Sequence, residues 1–216
     1  MTTSERVGPV VGVIGSAAFL VASVIAALAY SGTVGEAYSP LNHWVSELGE
    51  RGVSALALLF NIGLMVGGIA LAVFFIALGR LRRSRWAWFY VPIGIVAGVS
   101  GALVGVFPMN EIGIHRIVAL GFFNLGWIAV GLASLDLWRD PDARFPRWLP
   151  ALGALVVVIF IAFLTQYIPS LSEPAGTPRP QFALVTLLEW LVLIGIIVWI
   201  LVASYSWWRW ERGSRA

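Results

Sequence analysis

Two histidines occur in the 216-residue chain, and each stands four residues from a glutamate: His43 from Glu47, and His115 from Glu111. At that spacing on a helix the two side chains share a face, and imidazole nitrogens with carboxylate oxygens are ordinary ligands of divalent ions such as zinc. His43, Glu47, Glu111 and His115 are therefore the candidate metal ligands. Glu47 or Glu189 would then act as general base toward a metal-bound water, which is the chemistry of a metal-assisted hydrolase or transferase. The same spacing also arises in surface ion pairs and helix caps, so the plainer expectation is a chain that needs no cofactor.

The first pair lies in SPLNHWVSELGERG, Ser39 to Gly52, the most polar stretch of the chain. Ser39 suits an N-cap, Pro40 the first helical position, and Gly49 a left-handed stop, which predicts a short amphipathic helix over 40–48. Leu41, Trp44, Val45 and Leu48 would share one face and Asn42, His43, Ser46 and Glu47 the other. The second pair lies in FPMNEIGIHR, Phe107 to Arg116, where Asn110 is the expected cap of the helix that follows.

A few polar residues fall inside apolar runs. Counted inward at ~1.5 Å per residue, Ser23, Asn61, Ser100 and Glu189 lie roughly 10–12 Å below one membrane surface. A carboxyl group at such depth costs ~2–3 kcal/mol unless paired, protonated or facing water, so Glu189 is a candidate site residue. Arg116 snorkels outward, pairs with Glu189 or meets an anionic headgroup. Asn124, deeper still, is expected in an interhelical hydrogen bond.

The elements that must position these groups are apolar helices. A mean hydropathy of +0.88, with only 12% charged residues, belongs to an integral membrane protein and not to a soluble globular one. Six runs, near 8–30, 54–79, 87–107, 112–134, 148–168 and 182–206, are long enough to span a bilayer. The first could be read as a signal peptide ending at Ala27-Leu-Ala29, but its length favours a retained anchor. The expected fold is an all-α integral membrane protein, one domain over 1–216, with six transmembrane helices arranged as three hairpins.

All basic residues are arginines, and they set orientation. With the N-terminus cytoplasmic, Arg6, Arg80, Arg82, Arg83, Arg85, Arg139, Arg144, Arg147, Arg209, Arg212 and Arg215 lie inside, and only Arg51, Arg116 and Arg179 outside. Both termini are thus expected in the cytoplasm, and the 40–48 helix on the outer side with Glu36, Glu50 and Glu173. The arginine clusters serve topology, so no nucleic-acid partner is expected; membrane lipid is the expected partner, and association with further copies of the chain stays open. The expected location is the cell membrane, a prokaryotic plasma membrane. Gly94, Gly98, Gly101 and Gly105 line one face of the third span and predict a central, tightly packed helix, with Gly63 and Gly67 a shorter version in the second. The segment Asp136 to Trp148 mixes charges with prolines and reads as a solvated turn. Cysteine is absent, which removes disulfide and thiolate chemistry.

The run His43-Trp-Val-Ser-Glu-Leu-Gly49, together with Val106-Phe-Pro108 followed by His115, resembles the membrane family known as domain of unknown function 998. Val45 stands where that family usually has isoleucine. The resemblance implies that Ser46, Glu47, Gly49, Pro108 and His115 are family-type polar and turn positions, and it implies no activity. Membrane hydrolases of the alkaline ceramidase and adiponectin-receptor type hold zinc through several histidines, including an HxxxH pair that this chain lacks.

Three functions compete on these grounds. The leading one is binding of a lipid or small amphipathic ligand in an outer-facing crevice formed by Asn42, His43, Ser46, Glu47, Asn61, Asn110, Glu111, His115, Arg116 and Glu189. The second is the metal-assisted lipid hydrolase or transferase, with His43, Glu47 and Glu189 as catalytic candidates. The third is proton-coupled transport through Glu189 and Asn61, which an intramembrane carboxyl suits.

Overall fold

The computed structural model describes residues 3–170 and 179–213, with side chains over 7–169 and 179–213. Glu173 and the side chains of Arg6 and Arg215 lie outside these. Among the described residues there are six α-helices: α1 (Thr3–Leu28), α2 (Ala57–Arg82), α3 (Ala87–Val106), α4 (Ile112–Arg139), α5 (Leu149–Ser170) and α6 (Leu184–Gly213). All six are long and apolar enough to cross a membrane. Helices are what such sequences form, because hydrocarbon offers the backbone no hydrogen bonds and a helix supplies its own. Helix α4 runs beyond its predicted end to Arg139, and α6 to Gly213.

Each helix packs on its neighbours in the chain, and α1 packs on α6, so the hairpins close into a ring. Apolar side chains fill much of its middle. Trp199 of α6, fully buried, stacks on Phe75 at 6.3 Å and meets Phe74 edge-on at 6.1 Å. Helix α3 is a member of the ring and not its centre, since Trp88, Phe89, Val96 and Val99 are exposed on its outer side. Its glycines make a close approach to α2. A Cβ on Gly98 would strike the backbone of Ala72 and Gly68, and one on Gly105 the Asn61 carbonyl. Gly63 and Gly67 turn the opposite way, against Ala18 and Phe19 of α1. Small residues thus let α2 lie between two helices at backbone contact, where dispersion holds it.

At the arginine-rich end, Asp136 to Trp148 is a clamp and not the solvated turn expected. Arg82, only 4% exposed, donates to Asp136 Oδ2 at 3.1 Å, Asp142 Oδ2 at 3.0 Å and Asp140 Oδ2 at 3.1 Å. Arg144 forks onto the same Asp142 carboxylate, at 2.9 Å and 2.8 Å. Burial alone would raise the Asp142 carboxyl, but the bonds from Arg144 and Arg82 outweigh it and hold Asp142 below the usual carboxylate range. The clamp joins the ends of α2 and α4 and carries α4 past its apolar stretch.

Asp136 is buried and Arg82 is the cation that meets it, so removing Arg82 leaves its charge uncompensated, whereas Asp142 keeps Arg144. Arg82→Met is expected to cost about 3–5 kcal/mol, the usual effect of breaking a buried pair. Thermal unfolding of the detergent-solubilised protein measures it, and an unchanged melting temperature would mean the clamp contributes nothing to stability.

Candidate functional site

At the opposite end, Ser39 to Gly52 folds into a plug. The predicted helix over 40–48 does not form. Asn42 and His43 donate to the Ser39 carbonyl in one turn, Trp44 is extended (φ −65°, ψ 147°), and only Val45–Gly49 coils, as a 3-10 helix. The cause is competition for backbone groups. In a continuous helix Trp44 N–H would bond Pro40, and Val45 N–H would bond Leu41. Instead Glu47 Oε1 takes Trp44 N–H at 2.8 Å and Glu189 Oε2 takes Val45 N–H at 2.7 Å. The Leu41 carbonyl accepts Ala183 N–H at 2.7 Å. Gly49 does not adopt the left-handed stop, which falls on Gly52 (φ 86°). Gly49 is needed for closeness: a Cβ there would strike Asn61, whose Nδ2 donates to the Gly49 carbonyl at 3.0 Å.

Both expected faces of this segment are largely buried. Val45 and Leu48 enter the core, and Trp44 meets Tyr167 edge-on at 5.7 Å, while Leu41 stays exposed. His43 and Glu47 are buried too, yet they do not bond each other. Glu47 is held by Arg179 through Nη1 at 3.0 Å and Nη2 at 2.8 Å, with Tyr30 Oη donating at 3.3 Å. Arg179 Nη1 also donates to the Asn42 carbonyl at 2.7 Å, and Asn42 Nδ2 donates to the Pro180 carbonyl at 3.1 Å. This strap, with Ala183, ties the plug to the segment leading into α6.

His43 sits between the rings of Tyr30 (5.4 Å) and Tyr38 (5.2 Å). Its Nδ1 lies 2.7 Å from Asn42 Oδ1 and 3.2 Å from Ser39 N, and its Nε2 is buried without a partner. Burial, and then the Arg179 guanidinium, push the imidazole below its ordinary value, with Glu47 opposing. Burial likewise raises the Tyr30 and Tyr38 phenols. Tyr38 Oη accepts Trp190 Nε1–H at 2.7 Å and donates to the Trp44 carbonyl at 3.1 Å. Tyr30, Tyr38, Arg179 and Trp190 are thus parts of the plug that local sequence pattern did not single out.

The second polar cluster divides. Asn110 caps nothing with its side chain; it exchanges two hydrogen bonds with the Arg51 backbone, at 2.8 Å and 2.9 Å. Glu111 pairs with the Arg51 side chain at 2.8 Å in the open, where such a pair contributes little. His115 turns inward, its Nδ1 2.8 Å from the Phe107 carbonyl. Arg116 is exposed and makes no ion pair among the described residues, so the expected pairing with Glu189 is absent. Asn124 bonds within its own helix, to the Leu120 carbonyl at 2.8 Å, and is exposed. The four candidate metal ligands are held apart by these separate partners. Among the described residues no group of three or more histidine, aspartate or glutamate side chains could hold a metal ion.

Beneath the plug lies a cavity of about 100 Å³ between α1, α2, α3, α4 and α6. Glycine and apolar side chains line it, with Phe19, Phe60 and Phe122 prominent. Ser46, His115 and Glu189 bring polar atoms to its wall at the plug end, and Ser16 is the other polar side chain on it.

A bundle of six apolar, membrane-length helices with a plugged internal cavity defines a multi-pass membrane protein. The chain belongs to the family described as "Protein of unknown function (DUF998)", whose sequence model matches residues 13–206. No curated protein and no solved structure matches the chain.

The His43 environment makes stability depend on pH. With its folded value depressed, the unfolded chain takes up the proton first, so as pH falls through about 6.5 the unfolded state gains and stability drops. Glu50, pushed up by burial and by Glu47, acts with the opposite sign. His43→Gln is expected to flatten the fall in melting temperature between about pH 7 and pH 5. A slope equal to the parent's would exclude His43 as its source.

Proposed function

We propose that this protein binds a lipid or small amphipathic ligand in the internal cavity, with the ligand's head against Ser46, His115 and Glu189 and its apolar part between the helices. The observation that carries the reading is the cavity's uneven polarity: of its four polar side chains, Ser46, His115 and Glu189 stand beneath the plug, with Ser16 deeper among glycine and apolar residues. Small-molecule sites share this character, mostly apolar with a few convergent polar groups. Glu47 and Arg179 belong, on this reading, to the closure and not to the ligand.

The reading includes an orientation. Arg80, Arg82, Arg83, Arg85, Arg139, Arg144, Arg147, Arg209 and Arg212 fall at the helix ends remote from the plug, whereas Arg51, Arg116 and Arg179 fall near it. The positive-inside rule then puts the clamp end in the cytoplasm and the plug on the outer side of the cell membrane. The metal-assisted hydrolase lacks a supporting observation, because its donors point to separate partners.

Two experiments test these statements. Ala119 lines the cavity, so Ala119→Leu is expected to fill it, leaving the melting temperature equal or higher and reducing severalfold the lipid that co-purifies, read by mass spectrometry of solvent extracts. Unchanged lipid in a folded variant would refute the site. The absence of cysteine allows single-cysteine labelling without background. With a membrane-impermeant maleimide, Thr33→Cys should label on intact cells and Ala143→Cys only after permeabilisation; the reverse pattern would invert the orientation.

A further inference from the structure

Two groups on the cavity wall keep unused hydrogen-bonding atoms after their internal bonds are counted. His115 Nδ1 lies 2.8 Å from the Phe107 carbonyl oxygen. A carbonyl oxygen only accepts, so for the neutral ring the proton sits on Nδ1, and Nε2 carries a lone pair. Glu189 commits Oε2 to Val45 N–H at 2.7 Å, and its other oxygen makes no hydrogen bond among the described residues. Both side chains line the cavity at the plug end, together with the Ser46 side chain.

The cations nearby are committed elsewhere. Arg179 is forked onto Glu47, Arg51 is paired with Glu111, and Arg116 is exposed and is not part of the wall. At the head end of the cavity His115 Nε2 thus only accepts, the Ser46 hydroxyl can donate or accept, and no fixed positive charge is present among the described residues. An anionic head placed there would face the Glu189 carboxyl and the His115 lone pair without a counter-ion, which burial makes costly. A hydroxyl finds an acceptor at once.

The shape limits the tail. At roughly 10–15 Å³ of such space per water-sized group, about 100 Å³ accommodates about seven to ten groups in a row. From Glu189 to Ile200 the cavity follows α6 for ~16 Å, at 1.5 Å per residue. That is space for one chain and not for a two-chain phospholipid.

Building on the cavity as a ligand site, we infer that its ligand is a single-chain amphiphile whose head donates a hydrogen bond and carries no negative charge, a medium-chain alcohol being the simplest member. The test compares radiolabelled octan-1-ol and octanoate at pH 8, by equilibrium dialysis against the full chain in phosphatidylcholine nanodiscs. Nanodiscs carrying Ala119→Leu serve as the blank for partition into lipid. Octanol is expected to bind at least tenfold more tightly than octanoate, and His115→Phe to narrow that ratio. Octanoate binding as tightly as octanol would overturn the inference about the head while leaving the cavity a ligand site. Neither probe exceeding the blank would remove the cavity reading itself, and this inference with it.

Discussion

The hydrogen bond from Val45 N–H to the Glu189 carboxyl, 2.7 Å long, is the contact on which the plugged end depends. A loop pressed into a helix bundle brings backbone groups away from water, and each must find a partner there. Glu189 supplies one from α6, Asn61 supplies another from α2 to the Gly49 carbonyl, and Glu47 supplies a third to Trp44 from within the plug. Polar side chains inside the apolar spans thus serve as fixed partners for an irregular backbone. Such a loop could not lie there against hydrocarbon alone.

That constraint also explains why most of the cavity's polar side chains stand at one end. Glu189 must stand beneath the plug to hold Val45, and His115 is turned inward by the carbonyl at the end of α3. Each spends one atom on structure and presents the rest to the space below. The clamp end works differently. There Arg82 and Arg144 meet buried aspartates, the charges are matched within the protein, and the ends of α2 and α4 are joined. One end is closed by ion pairs, the other by a loop.

How much of this could be read beforehand follows from the range of each interaction. The six spans were legible because run length and arginine clusters are local properties; the structure extends α4 through charged residues and α6 through aromatic ones, and shifts the ends of α1 and α2 by a few residues. The glycines of α3 announced close packing, though not that α2 receives them. The helix over 40–48 was expected from sound local signals in Ser39, Pro40 and Gly49. It lost to Glu189 and Ala183, partners more than a hundred residues away that no window on the sequence contains. Arg179 looked like one more outer arginine between prolines, and Asn124 like a bridge between helices when its bond stays in its own. The histidine–glutamate spacing was real but did not become a pair in either place, since Arg179 and Arg51 are better partners for the carboxylates.

The connections of the plug also impose an order of assembly. Val45 and Glu189 are 144 positions apart, and Glu47 and Arg179 are 132 apart. During synthesis the first loop therefore emerges with no partner for Val45 N–H and no counter-ion in Arg179, and this persists until α6 and the residues before it have been made. The helices from α1 to α5 are all made before that point, and in the finished structure each packs on its chain neighbours. The closure is therefore the last part of the molecule that can be set, and until then the space beneath it stands open to whatever the membrane contains.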